Sequence, residues 1–164
     1  MKQLLTDIQN RLLAEVPELK YVDIDWGQLD FYNPHPPVKF PCALIDISNV
    51  QWSNVLKKGQ MGLATVVITV ADLRLSNTSG AAPQGQKDKA MEIFEVLKNI
   101  YVALHGWTCH ATYSGLIRQA NTLRRREDGV KLYQITFTTE VKDYSAIPQQ
   151  TTQQAGITVY VDML

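Results

Sequence analysis

Tyr133, Ile135, Phe137 and Val141 alternate with Gln134, Thr136, Thr138 and Glu140. Only an extended strand turns a period of two into one apolar and one polar face. The run therefore dictates a strand with one side on a core and the other on water or a partner. Upstream of it stands Asp128-Gly129, a pair that tolerates positive φ and marks a hairpin turn between strand-forming runs. Arg118 to Asp143 thus reads as two antiparallel strands folded back on each other. Their tip carries mixed charge in Arg124-Arg125-Arg126-Glu127-Asp128-Gly129.

The rest of the chain supplies what such a hairpin needs to pack against. Leu5, Ile8 and Leu12 recur at helical spacing from Lys2 to Glu15, with Leu4 and Leu13 widening the stripe. Val16-Pro17 ends that helix, because a residue before proline is pushed out of the helical region. Tyr21 to Asp25 alternates like a short strand, Trp26 to Phe40 is a proline-interrupted loop, and Cys42 to Trp52 is a strand with Ala43, Ile45 and Ile47 on one face. Ser53 to Gly59 reads as a turn or loose connection. Gln60 to Leu75 reads as a long strand whose apolar centre, Ala64 to Ala71, suits a central place in a sheet. Ser76 to Gln86 is a small, polar loop.

Lys87 to His105 carries the clearest helical stripe: Ala90, Ile93, Phe94, Leu97, Ile100, Tyr101 and Leu104. Packing onto the sheet through Phe94, Leu97 and Tyr101 is expected. Asp88 suits the helix N-terminus and Gly106 the position just beyond its end. Consecutive strands favour antiparallel pairing, and two amphipathic helices need one sheet face to cover. The expected architecture is α+β, a mainly antiparallel twisted sheet of four or more strands with two helices on one face. Residues 1–145 form one domain. Residues 146–164 form an extension with a terminal strand candidate, Ile157 to Val161.

Several function classes fit poorly. Sixteen basic residues balance sixteen acidic ones, so no global field gathers nucleic acid or anionic membrane. The two cysteines, Cys42 and Cys109, make no disulfide framework and suit a reducing compartment. Met1-Lys2-Gln3 leads into an amphipathic helix and not an apolar signal segment. Apolar runs break before the roughly 20 residues that a membrane span needs.

Site chemistry is equally sparse. His105, Cys109 and His110, with Cys42, are metal-ligand residue types, but their spacing matches no paired-ligand pattern and His105 is accounted for by a helix C-terminus. Ser114-Gly115 lacks a nucleophile-elbow context, and Gly59-Gln60-Met61-Gly62 lacks the lysine and strand-to-helix setting of a phosphate loop. Asp23 and Asp25 share a strand face, which a solvated edge strand explains. No cofactor, metal or catalytic group is expected. Arg118, Arg124, Arg125 and Arg126 can hold phosphates, but Glu127 and Asp128 follow at once, and Glu140 and Asp143 lie on the returning strand, so cross-strand ion pairs are the simpler expectation.

The pattern as a whole resembles the phage tail terminators, also called tail completion or minor tail proteins. The similarity runs over residues 2 to 143. It rests on the N-terminal helix, on Gly27-Gln28-Leu29, on Pro36-Pro37-Val38-Lys39-Phe40-Pro41-Cys42-Ala43-Leu44-Ile45, and on Gly62-Leu63-Ala64-Thr65-Val66-Val67-Ile68-Thr69-Val70. The long helix ending Ala103-Leu104-His105-Gly106, and the hairpin with Asp128-Gly129 and Tyr133-Gln134-Ile135-Thr136-Phe137, complete it. The resemblance implies a non-enzymatic homo-oligomer, often a hexameric ring, that caps a tail tube and meets tail tube and neck proteins. It implies assembly in the host cytoplasm and residence in the virion tail. Arg118, Arg124, Arg125, Arg126, Glu127 and Asp128 are then candidates for assembly or for facing a pore, with non-specific DNA contact. Ile157, Val159 and Val161 are candidates for adding a strand to a partner's sheet. The competing reading is a cytoplasmic α+β binding module with weak nucleic-acid affinity through Arg124 to Arg126.

Overall fold

The N-terminal helix, α1, spans Lys2–Glu15 and ends where Val16 leaves helical geometry, as the Val-Pro step dictates. The computed structural model describes residues 1–30, 38–73, 79–124 and 130–147, and of residue 56 only the backbone. Leu4, Ile8 and Leu12 are the buried face of α1. Leu5 packs partly against the same core, whereas Leu13 is exposed, so the stripe is narrower than its composition suggests.

Five strands follow: β1 (Tyr21–Ile24), β2 (Cys42–Leu56), β3 (Gly59–Asp72), β4 (Ile117–Arg124) and β5 (Lys131–Asp143), with helix α2 (Gln84–Leu104) between β3 and β4. They form one sheet in the order β1-β2-β3-β5-β4. The α+β architecture and the central place of β3 are as expected. Pairing is antiparallel except at β1, which runs parallel to β2 with Tyr21 opposite Cys42. The antiparallel rule for consecutive strands fails there because 25–41 is long enough to return the chain to the same end of the sheet.

β2 is longer than expected. It continues through Leu56, and Lys57-Lys58 alone separates it from Gly59, so most of Ser53 to Gly59 is ladder and not turn. In β5, Ile135, Phe137 and Val141 are buried on the helix side, as the alternation requires. Thr139 also points inward, and its hydroxyl donates to the Ser114 carbonyl at 2.7 Å. That bond removes the cost of burying it.

Alternation places Ala43 and Ile45, Ala64 to Val70 in steps of two, and Ile135 and Phe137 on one face, where both helices cover them. Cys42, Leu44, Ala71 and Leu132 face the other way, into a smaller cluster with Leu29, Val38 and Val130 from the flanking loops. Each large aliphatic or aromatic side chain so buried contributes roughly 1.5–3 kcal/mol.

The α2 helix begins three residues earlier than its stripe suggests, with Pro83 at its N-cap. Asp88 therefore lies past the first turn, where it accepts a hydrogen bond from Gln84 Nε2 at 2.7 Å. The buried face is Ala90, Ile93, Val96, Ile100, Ala103 and Leu104. Phe94, which the stripe puts at the centre of the contact, is 49% exposed, and Leu97 and Tyr101 are only partly buried. The helix is turned so that small and aliphatic residues meet the sheet and the aromatic flank is left outside. Gly106 takes the left-handed position beyond the helix end, at φ 74°.

A cross-strand packing device stands at the far end of the sheet. Trp52 lies opposite Gly62, and a methyl group on Gly62 would come within 2.8 Å of the Trp52 ring and of Val50 Cγ1. Gly62 is the floor on which the indole rests. Gly62→Ala is expected to push the partly exposed ring outward at a cost of about 1 kcal/mol. A red shift of tryptophan emission with a small drop in denaturation midpoint is the result to look for.

Candidate assembly surface

Every residue of β4 is exposed. The strand closes the sheet order, so one edge pairs with β5 and the other has no strand beside it among the described residues. Apart from Arg118 against the Tyr101 ring, its inner face is left uncovered by the described residues as well. The main core that α1 and α2 share draws on β2, β3 and β5 and includes no residue of β4. Between the helix and the strand lies an open groove of about 410 Å³, lined among others by Phe94, Leu97, Arg118, Leu123, Tyr133 and Ile135. Phe94 meets Tyr133 edge to face at 5.7 Å between ring centroids. Leu123 projects beside them and is more than half exposed. An unpaired edge next to an uncovered apolar face is a template for another strand.

Arg118 and Arg124 sit at the two ends of this strand, opposite Phe137 and Leu132. The guanidinium of Arg118 lies 3.7 Å from the centroid of the Tyr101 ring, a cation–π contact. Its backbone N–H donates to His105 Nδ1 at 3.2 Å. Cross-strand pairing of these two arginines with Glu140 and Asp143 does not occur, because β4 stops at the level of Thr138, short of both carboxylates. Glu140 sits opposite Leu63 and Asp143 opposite Gln60 on the other neighbour, β3. The Asp143 carboxylate accepts from the Ser145 N–H at 2.9 Å, and hydrogen bonding to Ser145 lowers its pKa. Arg125, Arg126, Glu127 and Asp128, and the strand candidates Ile157, Val159 and Val161, lie outside the described residues.

The metal-ligand residue types are not brought together. His105 Nδ1 accepts from Arg118, His110 Nδ1 is 2.8 Å from the Thr112 hydroxyl, and Cys109 Sγ is 3.1 Å from the Tyr113 hydroxyl. Cys42 is buried on the opposite face of the sheet. Among the described residues no three His, Cys, Asp or Glu side chains could hold a metal ion together. Asp23 accepts from the Tyr21 hydroxyl at 2.6 Å and from Ile24 N–H at 2.8 Å, and Asp25 accepts from Gly27 N–H at 3.0 Å. Both carboxylates are committed to local structure, and the Tyr21 bond is the main cause of the lowered Asp23 pKa.

Burial pushes the Cys42 thiol up to about 12. At pH 8 the thiol stays protonated and the nucleophilic thiolate is a minor form. Native protein is therefore expected to label rapidly at exposed Cys109 and at Cys42 only in denaturant, by mass spectrometry after alkylation. The raised pKa also gives a sign. The neutral thiol favours the folded state below the ordinary thiol pKa, and that contribution is lost as pH rises toward about 12.

One network went unread in the sequence. The Tyr113 hydroxyl donates to Asp7 Oδ2 at 2.9 Å, so the Cys109 thiol is the donor to the tyrosine oxygen. It pins the 105–116 connection onto α1 and raises the Tyr113 pKa, chiefly through burial. The groove also went unread. Its signal was an apolar arc on α2 wider than the sheet covers, in exposed Phe94 beside half-buried Leu97 and Tyr101.

No described helix is long and apolar enough to cross a membrane. No family model and no curated protein matches the chain. Among solved structures it is similar to a chain of the virion of a native gene transfer agent particle. The TM-score is 0.53 and the identity 15%, and the match covers 85% of this chain and 95% of that one. The two share a fold, over nearly the whole length of the virion chain.

Proposed function

We propose that the protein is a structural subunit of a phage-like particle, a tail terminator that forms a closed ring at the end of the tail tube and meets the neck. The observation that carries this reading is the fold shared, nearly end to end, with a chain of a gene transfer agent virion. The tail position rests on the order of motifs from the N-terminal helix to the closing hairpin. Ring closure needs two different, complementary patches on each subunit, and the bare β4 edge with its groove supplies one. In this reading the chain is not an enzyme. It assembles in the host cytoplasm and ends in the virion tail.

Arg118 and Arg124 on the exposed strand favour a subordinate role in which the ring touches passing DNA without reading sequence. Native mass spectrometry and negative-stain imaging of the purified chain test the proposal. A discrete closed oligomer that binds tail tube ends is the expected result. A monomer at every concentration, or tight sequence-selective DNA binding that survives physiological salt, would replace it with the binding-module reading.

A further inference from the structure

We infer that the β4 edge and the groove beside it receive residues Ile157 to Val161 of a second copy of this chain, added as a sixth strand. The inference rests on the assembly reading above and names the contact that would close it. Three observations on the surface and the chain converge.

The site is a strand vacancy and not a general apolar patch. The edge of β4 that no described strand pairs offers backbone donors and acceptors, and Phe94, Leu97, Leu123 and Tyr133 offer an apolar wall on the helix side. A strand docked there should be apolar on one face and polar on the other. Ile157, Val159 and Val161 alternate with Thr158, Tyr160 and Asp162 in that way. Three side chains at steps of two span about 13 Å at strand rise, and Lys98 and Arg118 stand at the groove to meet an acidic neighbour such as Asp162.

The chain leaves the sheet on the wrong side for its own groove. After β5 it turns, with Ile147 N–H donating to the Tyr144 carbonyl at 3.0 Å. Ser145 and Ala146 border a hollow with Asn54, Lys57, Lys58 and Gln60, at the tip of the β2–β3 hairpin. That tip lies across β5 from β4 in the sheet order. On the β4 side, the last residues of β5 are already occupied. Lys142 N–H donates to the Thr112 carbonyl at 2.7 Å, and Ser114 N–H to the Glu140 carbonyl at 2.8 Å. To reach its own β4 the chain must turn back around the 105–116 connection. To reach another subunit it continues outward, and the nine residues from Pro148 to Gly156 have a typical span of roughly 15–18 Å.

Direction adds a further constraint. β4 runs opposite to β5. A tail folding back onto its own subunit would therefore lie parallel to β4, whereas a neighbour's tail is free to enter antiparallel. Strand addition of this kind draws affinity from the backbone and register from alternate side chains, and it is heterologous, as ring closure demands.

Disulfide capture with the full-length chain tests the inference. Two variants in a Cys109→Ser background, one with Leu123→Cys and one with Val159→Cys, are mixed and oxidised. Buried Cys42 does not compete. A disulfide between the two different variants is the expected result. Separately, Val159→Asp should abolish the oligomer while leaving the thermal transition unchanged. Leu123→Asp should do the same, since Leu123 is exposed in the subunit. A disulfide that forms within a single chain of the Leu123→Cys/Val159→Cys double variant, but not between the two single variants, would overturn the inference in favour of the subunit's own sheet. Rings that form with no such disulfide and tolerate Val159→Asp would overturn it while leaving the assembly reading intact. A wild-type chain that stays monomeric overturns both.

Discussion

Phe137→Ala is expected to lower the unfolding free energy by about 3–5 kcal/mol, as truncation of a fully buried phenylalanine does, while Phe94→Ala costs about 1 kcal/mol. Phe137 has no exposed surface and lies in the main core, on the face of β5 under the helices. It pairs across to Val66 on one side and Arg118 on the other, in the middle of a three-strand ladder. Removing the ring leaves a cavity on a strand that is hydrogen-bonded to a neighbour on both edges and cannot collapse into it. Phe94 keeps nearly half its surface in water and makes one edge-to-face contact with Tyr133. Its truncation forfeits that contact and a limited apolar area, and leaves no cavity. Denaturant unfolding of the two variants side by side separates the cases. Equal losses would mean that Phe94 is core and that the groove beside β4 is filled in the folded subunit. If the chain assembles through the β4 edge as proposed, the ranking should change in the oligomer, because Phe94 would then gain a covering strand and its truncation would weaken the oligomer more than the monomer.

The contrast also marks how far the sequence was legible. Alternation in β5 located its inward face, because a period of two leaves no freedom of phase. Helical periodicity is weaker in this respect. In α2 the apolar positions Phe94, Leu97 and Tyr101 lie beside Ile93, Val96 and Ile100, and the combined arc is broader than a single contact. Periodicity shows that a stripe exists. Which part of it meets the sheet depends on the width of the sheet under the helix. The core beneath the two helices draws on β2, β3 and β5 and leaves β4 out, and no local residue pattern encodes that offset. The arginine cluster was legible as composition but not as contact. Whether Arg118 meets a carboxylate depends on where β4 stops relative to Glu140, and the register decides that. It is set partly by the irregularity between Arg118 and Ala120. The parallel β1 was hidden for the opposite reason. Nothing in a four-residue strand specifies direction, and the length of the following loop allowed either.

The second large effect is expected at Gly115, where alanine should destabilise the protein by about 1–3 kcal/mol, the usual cost of forcing a methyl group into a packed site. A Cβ there would stand 2.8 Å from the Gly106 carbonyl oxygen and 3.1 Å from its carbon. Both neighbours are backbone, so no side chain can swing aside. The two glycines form a seam. Gly106 N–H donates to the Leu116 carbonyl at 2.7 Å, Leu116 N–H to the Trp107 carbonyl at 3.2 Å, and His105 bridges Leu116 in parallel. This seam ties the end of α2 to the residue just before β4, so it fixes where the edge strand begins relative to the helix. Widening it should shift Ile117 and Arg118 away from Tyr101 and His105 and distort the groove. Gly106→Ala offers a control with a different cause. Open space surrounds its Cβ, but φ is +74°, and a left-handed alanine costs about 1–2 kcal/mol. If both act through the one seam, the double variant should lose less than the sum of the singles in denaturant unfolding. Strict additivity would mean that the glycines serve two independent needs. If the groove is the docking surface, Gly115→Ala should also weaken the oligomer at temperatures where the monomer is still folded.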